Sequence, residues 1–348
     1  MKSVRVCYGA AQYMSHSRVA QLNRQLIRSQ CEVVKKVDDA DIVVLHFEPY
    51  NFASIYEKYP ALRTKYVIGY CVWEASQLPD CYKDSISYVQ EIWTCSRYCC
   101  DIFNQHHPRV AHIPHVIERD ASCSIGDREY IRRIISFNPN ILYYLFITKL
   151  WDRRKNTRGL AMSFLSQRSA MPNARLIIKG GPQDVAEDLP TNGIIYLREH
   201  LTDGQMNALY EIAGVYVSAH HSEGWGLTLS DAMVLQKPTI ATGYSGNLEF
   251  MNAENSFLLD FTVNFIKPED CFYLFREDMK WAYPSDDDLG QKLLFLYHNR
   301  ESPVVRAKIQ NASEDIKMFS RASVQRIVQR QIASIVDSEH FSQLLSRS

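Results

Sequence analysis

The chain has 348 residues, 46% of them hydrophobic and 22% charged, with 39 basic residues balanced by 39 acidic ones. That length suffices for two domains and that apolar share for packed cores, which excludes global disorder. A formal charge of zero argues against a dedicated nucleic-acid binder and against a strongly basic membrane surface.

The longest apolar runs, such as 141–147, are far too short to span a bilayer, and Met1–Arg5 leads toward a strand without the apolar stretch of a signal peptide. The nine cysteines are odd in number and form no C-x-x-C pair. Cys95, Cys99 and Cys100 stand near His106 and His107, but without zinc-type spacing. We therefore expect reduced, mostly buried thiols in a cytoplasmic protein and no metal centre.

In the first third, strands are expected at 4–8, 32–34, 42–47, 66–70, 91–94 and 110–113, with helical stretches between most of them. Such alternation predicts a parallel sheet covered on both faces. Gly9-Ala10-Ala11 opens a loop running to Ser15-His16-Ser17, after which Val19, Leu22, Leu26 and Ile27 mark an amphipathic helix with Ser15 or Ser17 as its cap. No G-x-G-x-x-G follows the first strand, so a dinucleotide reading lacks its phosphate loop. Ligands of an open α/β sheet lie beyond the carboxyl ends of its strands. That rule singles out Gly9, the 15–17 loop, His46, Glu74, Ser96-Arg97 and His115. Structural roles satisfied by neighbouring backbone compete with ligand roles at Glu74, and more strongly at both histidines.

Residues 117–140 are charged and irregular, with a helical piece around 130–135, and read as the connection between domains. A near-continuous apolar strand at 142–147 follows, then the basic stretch Lys149-Leu150-Trp151-Asp152-Arg153-Arg154-Lys155-Asn156 before a helix. Bases clustered ahead of a helix N-terminus oppose the helix dipole, and they make sense with an anion in front of them. Strands follow at 174–181 (with its turn) and 193–197, then a helix capped by Thr202 and running through Met206, Leu209 and Tyr210.

Val215-Tyr216-Val217 then reads as a buried strand. It feeds His220-His221-Ser222-Glu223-Gly224-Trp225-Gly226, and Leu227, Leu229, Ala232, Met233 and Leu235 give the next helix a wide apolar face. A strand, a glycine turn and a helix N-terminus make an anion site, because unpaired N–H groups and the helix dipole point the same way. Two carboxylates flank it, Glu223 in the turn and Asp231 about two helical turns on. A ligand with a negative middle and hydroxyl-rich ends, such as a nucleotide-sugar, has the matching shape. Beyond a strand at 238–242, the loop Gly243-Tyr244-Ser245-Gly246-Asn247 offers N–H groups to a phosphate or to sugar hydroxyls. Asp286, Asp287 and Asp288 read as helix-start acids rather than a metal triad, and 303–345 is helical with mixed charge.

Ser222-Glu223-Gly224-Trp225-Gly226-Leu227, then Asp231-Ala232-Met233 and the run Gln236–Phe250, resemble the core of retaining GT-B glycosyltransferases of the large family 4. That family carries a glutamate pair separated by seven residues; here Trp225 stands for its phenylalanine and Asp231 for its second glutamate. Gly69-Tyr70, Trp73-Glu74, Leu78-Pro79 and 93–96 resemble a bacterial-type subgroup, and Trp281-Ala282-Tyr283-Pro284 a later family segment. The likeness covers most of 142–300 and, more weakly, 4–120. It implies an α/β, GT-B fold of two Rossmann-like domains with parallel sheets facing across a cleft. The domains would be 1–120 on the acceptor side, a connection at 121–141, a donor domain at 142–310, and helices at 311–348 crossing back to the first.

The activity so implied is transfer of a hexose or related sugar from a nucleoside-diphosphate-sugar to a hydroxyl of a glycan, glycoprotein or glycolipid. It proceeds with retention and without a metal or other cofactor. By the resemblance, Lys155 and Arg154 hold the diphosphate as charge develops; the family's Gly-Arg pair is absent, and Lys149 is the candidate to replace it. Glu223 orients the hexose and Asp231 the ribose. Gly226, Leu227, Thr228, Ser245, Gly246, Asn247 and Leu248 supply backbone contacts, while Leu197 and Arg198 neighbour the base. Gly9, Glu74, His46 and His115 lie on the acceptor or sugar side. Partners would be the nucleotide-sugar and a glycan-type acceptor, not nucleic acid; peripheral membrane contact stays open. Three rivals share the fold: a phosphorylase, for which no cofactor lysine is identified, a sugar-nucleotide epimerase, and an inactive nucleotide-sugar-binding partner subunit.

Overall fold

A computed structural model describes residues 4–11, 14–185 and 189–345. It separates into two compact units, one of 1–117 with 318–348 and one of 118–317.

The first unit is built on six parallel strands, β1 (Arg5–Ala10), β2 (Glu32–Val34), β3 (Ile42–His46), β4 (Tyr66–Tyr70), β5 (Glu91–Thr94) and β6 (Val110–His112). Their order is β2-β1-β3-β4-β5-β6. Helices α1 (Met14–Arg28), α2 (Phe52–Lys58), α3 (Asp80–Ser85) and α4 (Arg97–Phe103) connect them. Every residue of β3, β4 and β5 is buried, as a parallel sheet covered on both faces requires. β1 runs further than its apolar residues suggest. Gly9 and Ala10 stay in the ladder opposite Leu45 and His46, because backbone pairing continues past the last apolar side chain. The loop expected from Gly9 is correspondingly shorter. α1 starts at Met14, so Ser15 and Ser17 lie inside the helix rather than at its cap; Gln12 and Tyr13 of that loop fall outside the described residues. The sheet order reverses direction between β1 and β3, the switch point where such folds bind ligands.

The second unit opens with α5 (Ile125–Ile134), which has a full capping box between Ser124 and Asp127. The region read from the sequence as a connection is therefore part of this unit, where α5 packs on α7 (Asp203–Ile212) and Arg128 pairs with Glu211 at 2.9 Å. Six parallel strands follow: β7 (Leu142–Ile147), β8 (Ala174–Lys179), β9 (Ile194–Leu197), β10 (Val215–Ser218), β11 (Thr239–Thr242) and β12 (Phe257–Leu259). Helix α6 (Thr157–Ser166) follows β7, and α8 (Leu227–Val234) follows β10. The spatial order is β12-β11-β10-β7-β8-β9, the Rossmann order with its switch point between β7 and β10. Tyr144, Phe146, Leu176, Ile178, Val215, Val217 and Ile240 from the sheet pack against Leu160 and Phe164 of α6 and against Leu289 and Leu293 of α9 (Asp286–Asn299).

An antiparallel pair, β13 (Phe261–Phe265) and β14 (Lys280–Pro284), is absent from the sequence reading. Its two strands are joined by a long excursion rather than a two-residue turn, so no hairpin signal marks it. Ser285 caps α9 through the Asp288 amide, and Asp286–Asp288 occupy the first turn, where acids complement the helix dipole. After α10 (Pro303–Asp315) the chain re-enters the first unit. There the Ile117 amide donates to the Phe319 carbonyl at 2.9 Å, and α11 (Arg321–Val336) and α12 (Glu339–Leu345) complete the fold. Each unit is thus of the α/β class, a six-stranded parallel sheet flanked by helices.

None of the nine cysteines is in a disulfide, and Cys7, Cys31, Cys71, Cys95 and Cys99 are buried. Among the described residues no helix is long and apolar enough to cross a membrane, and no three His, Cys, Asp or Glu residues are grouped to hold a metal ion.

Candidate active site

The carboxyl ends of β7 and β10, at the switch point of the second unit, each lead into a loop. From β7 the chain passes Asp152 and makes one 3-10 turn, Arg153–Lys155, ending at Asn156 with a left-handed φ of 52°. Asparagine tolerates that conformation better than most residues. From β10 it runs through His220, His221, Ser222 and Glu223 to Gly226, whose φ of 92° favours glycine, and then into α8. Two hydrogen bonds tie the loops together: the Asn156 side-chain amide donates to the Ala219 carbonyl at 2.9 Å, and the His221 amide to the Arg154 carbonyl at 2.8 Å.

These ties bring the charged residues into one cluster. Lys155 Nζ lies 2.5 Å from Glu223 Oε1, and Arg154 Nη1 lies 3.2 Å from Glu223 Oε2. Arg154 also donates to the Ser222 carbonyl at 2.5 Å and to Asp152 Oδ2 at 3.0 Å. Burial works against charge on Glu223, but Lys155 and Arg154 beside it outweigh burial and hold its carboxyl at about 2. The anion that the basic stretch faces is thus, in the protein alone, Glu223. Two basic side chains, Lys155 and Arg154, thus face two acidic ones, Glu223 and Asp152. Each Glu223 oxygen accepts one hydrogen bond here and keeps capacity for more. Arg154 is buried beneath the carboxylate, whereas the Lys155 side chain retains 18% of its exposure.

A third loop closes the site. The Glu223 amide donates to Ser245 Oγ at 2.8 Å, and the Gly246 amide returns to the Glu223 carbonyl at 2.8 Å. Asn247, fully buried, donates to the Thr242 carbonyl at 3.0 Å and meets His220 Nε2 at 3.2 Å. Leu248 N–H donates back to the Ser245 carbonyl. The amides of Gly246 and Leu248 and the side chain of Asn247 are therefore engaged inside the protein, which departs from the expectation of a turn offering open N–H groups. Its role in the structure is to fix Glu223. The open donors lie instead at Leu227 and Thr228, the first two residues of α8, where helix geometry leaves amides without an intrahelical partner. His220 and His221 are held near pH 4 by burial, so both are neutral at pH 7.

Other expected residues stand apart from this cluster. Lys149 is exposed and lies over the Trp151 ring at 5.3 Å. Leu197 ends β9, with its carbonyl accepting from the Gly180 amide, and exposed Arg198 donates to the Asp184 carbonyl at 3.2 Å. Asp231 is buried and paired with Arg119 at 2.7 Å. A cavity of about 420 Å³ also lies in this unit, lined by Arg158, His221, Lys267, Asp270, Tyr283 and Asp286 among others, but Lys155 and Glu223 do not line it.

In the first unit, His46 Nδ1 meets the Tyr8 hydroxyl at 3.1 Å, and Tyr8 accepts from Asn23 at 3.0 Å. Tyr70 donates to the Ile113 carbonyl and meets His115 Nδ1, both at 3.0 Å. Both histidines are buried in tyrosine networks. Gly9 faces the Phe47 ring, which a Cβ there would meet at 3.2 Å. Glu74 is half-buried near Cys95 and Cys99.

Residues 127–265, which span this cluster, match the family of glycosyl transferases group 1. The chain carries a glycosyltransferase domain. No curated protein matches the chain in sequence. Among solved structures, the pneumococcal O-GlcNAc transferase GtfA with UDP and GlcNAc superposes with a TM-score of 0.60 at 15% identity, over 93% of this chain. This chain spans only 61% of that protein's length. Anabaena HepE, solved with UDP and glucose, matches with a TM-score of 0.69 at 11% identity, over 95% of this chain and 100% of that one. Sucrose-phosphate synthase from Thermosynechococcus elongatus matches with a TM-score of 0.65 at 11% identity, over 100% of both chains. These likenesses are of fold.

The sequence reading gave no site role of their own to Asp152 and Asn156, which it named only within the basic stretch, or to Arg119 and Asn207, which hold Asp231. Asp152 and Asn156 flank the basic run, where a counter-charge and a residue tolerant of left-handed backbone were legible signals. Arg119 and Asn207 meet across 88 positions of sequence, and no local pattern announces such a contact.

Proposed function

We propose that the chain is a retaining, metal-independent hexosyltransferase using a nucleoside-diphosphate-sugar. The observation that carries this reading is Glu223, bridged by Lys155 and Arg154 at the switch point beside the α8 N-terminus. In this reading Lys155 and the Leu227 and Thr228 amides receive the diphosphate, and Glu223 accepts hydrogen bonds from the hexose hydroxyls. Arg154, too deep to meet phosphate directly, positions Glu223. The bond from the anomeric carbon to the diphosphate oxygen breaks and a bond to the acceptor oxygen forms on the same face. The acceptor's proton passes to the departing phosphate. Donors already fixed in the protein stabilise the charge on that phosphate without reorganising, the work a divalent ion does elsewhere.

The acceptor is a hydroxyl of a glycan, glycoprotein or glycolipid, and UDP-sugars are the first donors to test, since HepE and GtfA were each solved with UDP. A thermal-shift screen against UDP-, GDP- and dTDP-sugars tests the reading, because a bound donor stabilises by mass action. One nucleotide class should raise the melting temperature, and transfer should persist in EDTA. Glu223→Gln should abolish transfer yet keep nucleoside diphosphate binding. If no nucleotide shifts the curve, the donor-site assignment is wrong.

A further inference from the structure

Asp231, the residue expected from the sequence to grip the ribose, is already gripped. Its Oδ2 accepts from Arg119 Nη1 at 2.7 Å, and its side chain keeps only 7% of its exposure. Aspartate is also shorter than glutamate by one C–C bond, about 1.5 Å. With one oxygen engaged by the guanidinium and the carboxylate set back by that bond length, Asp231 is poorly placed to accept from both hydroxyls of a diol at once.

The group standing in front of it is the guanidinium. Arg119 Nε donates to Asn207 Oδ1 at 2.7 Å, and the Asn207 side-chain amide donates to the carbonyls of Asp120 and Ser122 at 2.8 and 2.7 Å. The guanidinium carbon lies 5.4 Å from the centre of the Tyr210 ring, and the Tyr210 hydroxyl donates to the carbonyl of Thr228 in the first turn of α8. Arg119 is therefore fixed on three sides at the same end of α8 as the proposed phosphate amides. Among the described residues, Nη2 has no hydrogen-bond partner. A guanidinium is purely a donor, where a carboxylate is purely an acceptor. The hydrogen-bonding sense of this corner is thus reversed relative to a ribose-gripping acid.

We infer that Arg119 closes Asp231 to the ribose diol, so that the chain binds its donor nucleotide without reading the 2′-hydroxyl and takes 2′-deoxyribonucleoside diphosphates as well as ribonucleoside diphosphates. This rests on the donor-site reading above. Arg119 itself is left to donate to an acceptor on the nucleotide.

Calorimetric titration of the full chain with UDP and 2′-deoxy-UDP, and with GDP and 2′-deoxy-GDP, provides the test. For whichever base binds, the ribo and deoxy forms should agree within about threefold, whereas Arg119→Met, which frees Asp231, should favour the ribo form by about tenfold. Asp231→Asn, which keeps the shape and an acceptor for Arg119, should leave the ribo-to-deoxy ratio near one. A ribo preference of about tenfold or more in the natural chain, or a ratio that moves with Asp231→Asn, overturns the inference and leaves the donor site standing. If none of the four nucleotides binds, the donor-site reading falls and this inference with it.

Discussion

The hydroxyl of Ser245 accepts the amide of Glu223 at 2.8 Å. Ser245 does so with φ 77° and ψ −149°, backbone angles that favour glycine and persist only where the surroundings hold them. The next residue completes the contact: a Cβ on Gly246 would lie 2.0 Å from the Gly224 carbonyl oxygen. Only a glycine lets these two loops touch.

Gly246→Ala should therefore push the 243–249 segment away from Glu223. Forcing extra atoms into a packed contact costs about 1–3 kcal/mol, and here the obstacle is backbone, which yields less readily than a side chain. A melting temperature lowered by several degrees and transfer reduced well below the natural level are expected. Unchanged melting and activity would show that the loops separate freely and do not fix Glu223.

Acid should weaken the second unit in two stages. His220 and His221 are lowered from 6.5 to about 4 by burial, so between those values the unfolded chain takes protons that the folded one refuses. Stability is then fully present above pH 6.5 and falls toward pH 4, by up to about 3 kcal/mol per histidine. Glu223 follows: its folded value of about 2, against 4.5 ordinarily, gives stability present above pH 4.5 and lost as pH falls toward 2. Melting temperature measured against pH in His220→Gln should show a shallower slope between pH 6.5 and 4 than the natural chain. An identical slope would mean that His220 already carries its proton in the fold.

How much of this could be read beforehand depended on whether a feature is local. β4, β5 and β7 fall within a residue of the apolar runs that announce them, because a buried parallel strand is little else than such a run. The Lys155–Glu223 meeting was legible as well, through two motifs whose chemistry is complementary. The fate of Asp231 was not. Its position on α8 follows from helix spacing, but its partner Arg119 lies 112 positions away, in a segment without periodicity. β13 was missed for a related reason: all five of its residues are exposed, so no burial pattern marks it.

The C-terminal helices should be indispensable to the first unit. α11 buries Val324, Val328, Ile332 and Ile335 and packs on α1. Gln331 donates at 2.6 Å to Glu91, a buried acid that also takes hydrogen bonds from Tyr66 and Trp93. Val328→Asp would bury an unpaired carboxylate, costing several kcal/mol or forcing the helix off. Loss of soluble protein, or a melting temperature lowered by about ten degrees or more, is expected. Melting like that of the natural chain would show that α11 is not part of the core.

Lys155 and Arg154 adjoin in sequence, share Glu223 and should nonetheless fail differently. The side chain of Arg154 is 8% exposed and holds two buried acids, Asp152 and Glu223. Arg154→Met leaves Asp152 without its ion-pair partner and Glu223 with Lys155 alone, a loss of about 3–5 kcal/mol where a buried pair is broken. Lys155, more exposed, satisfies Glu223 from the open side, and Arg154 remains when it is removed. Lys155→Met should shift melting by only a few degrees. In the proposed reaction, however, it removes a fixed charge from the departing diphosphate, and comparable losses of one stabilising donor lower kcat by about 10²–10³-fold. The two variants should thus separate on a plot of melting temperature against kcat, Arg154→Met failing mainly in stability and Lys155→Met mainly in turnover. If Lys155→Met keeps full kcat with any nucleotide-sugar that the natural chain uses, the diphosphate is neutralised elsewhere and the role given to Lys155 is wrong.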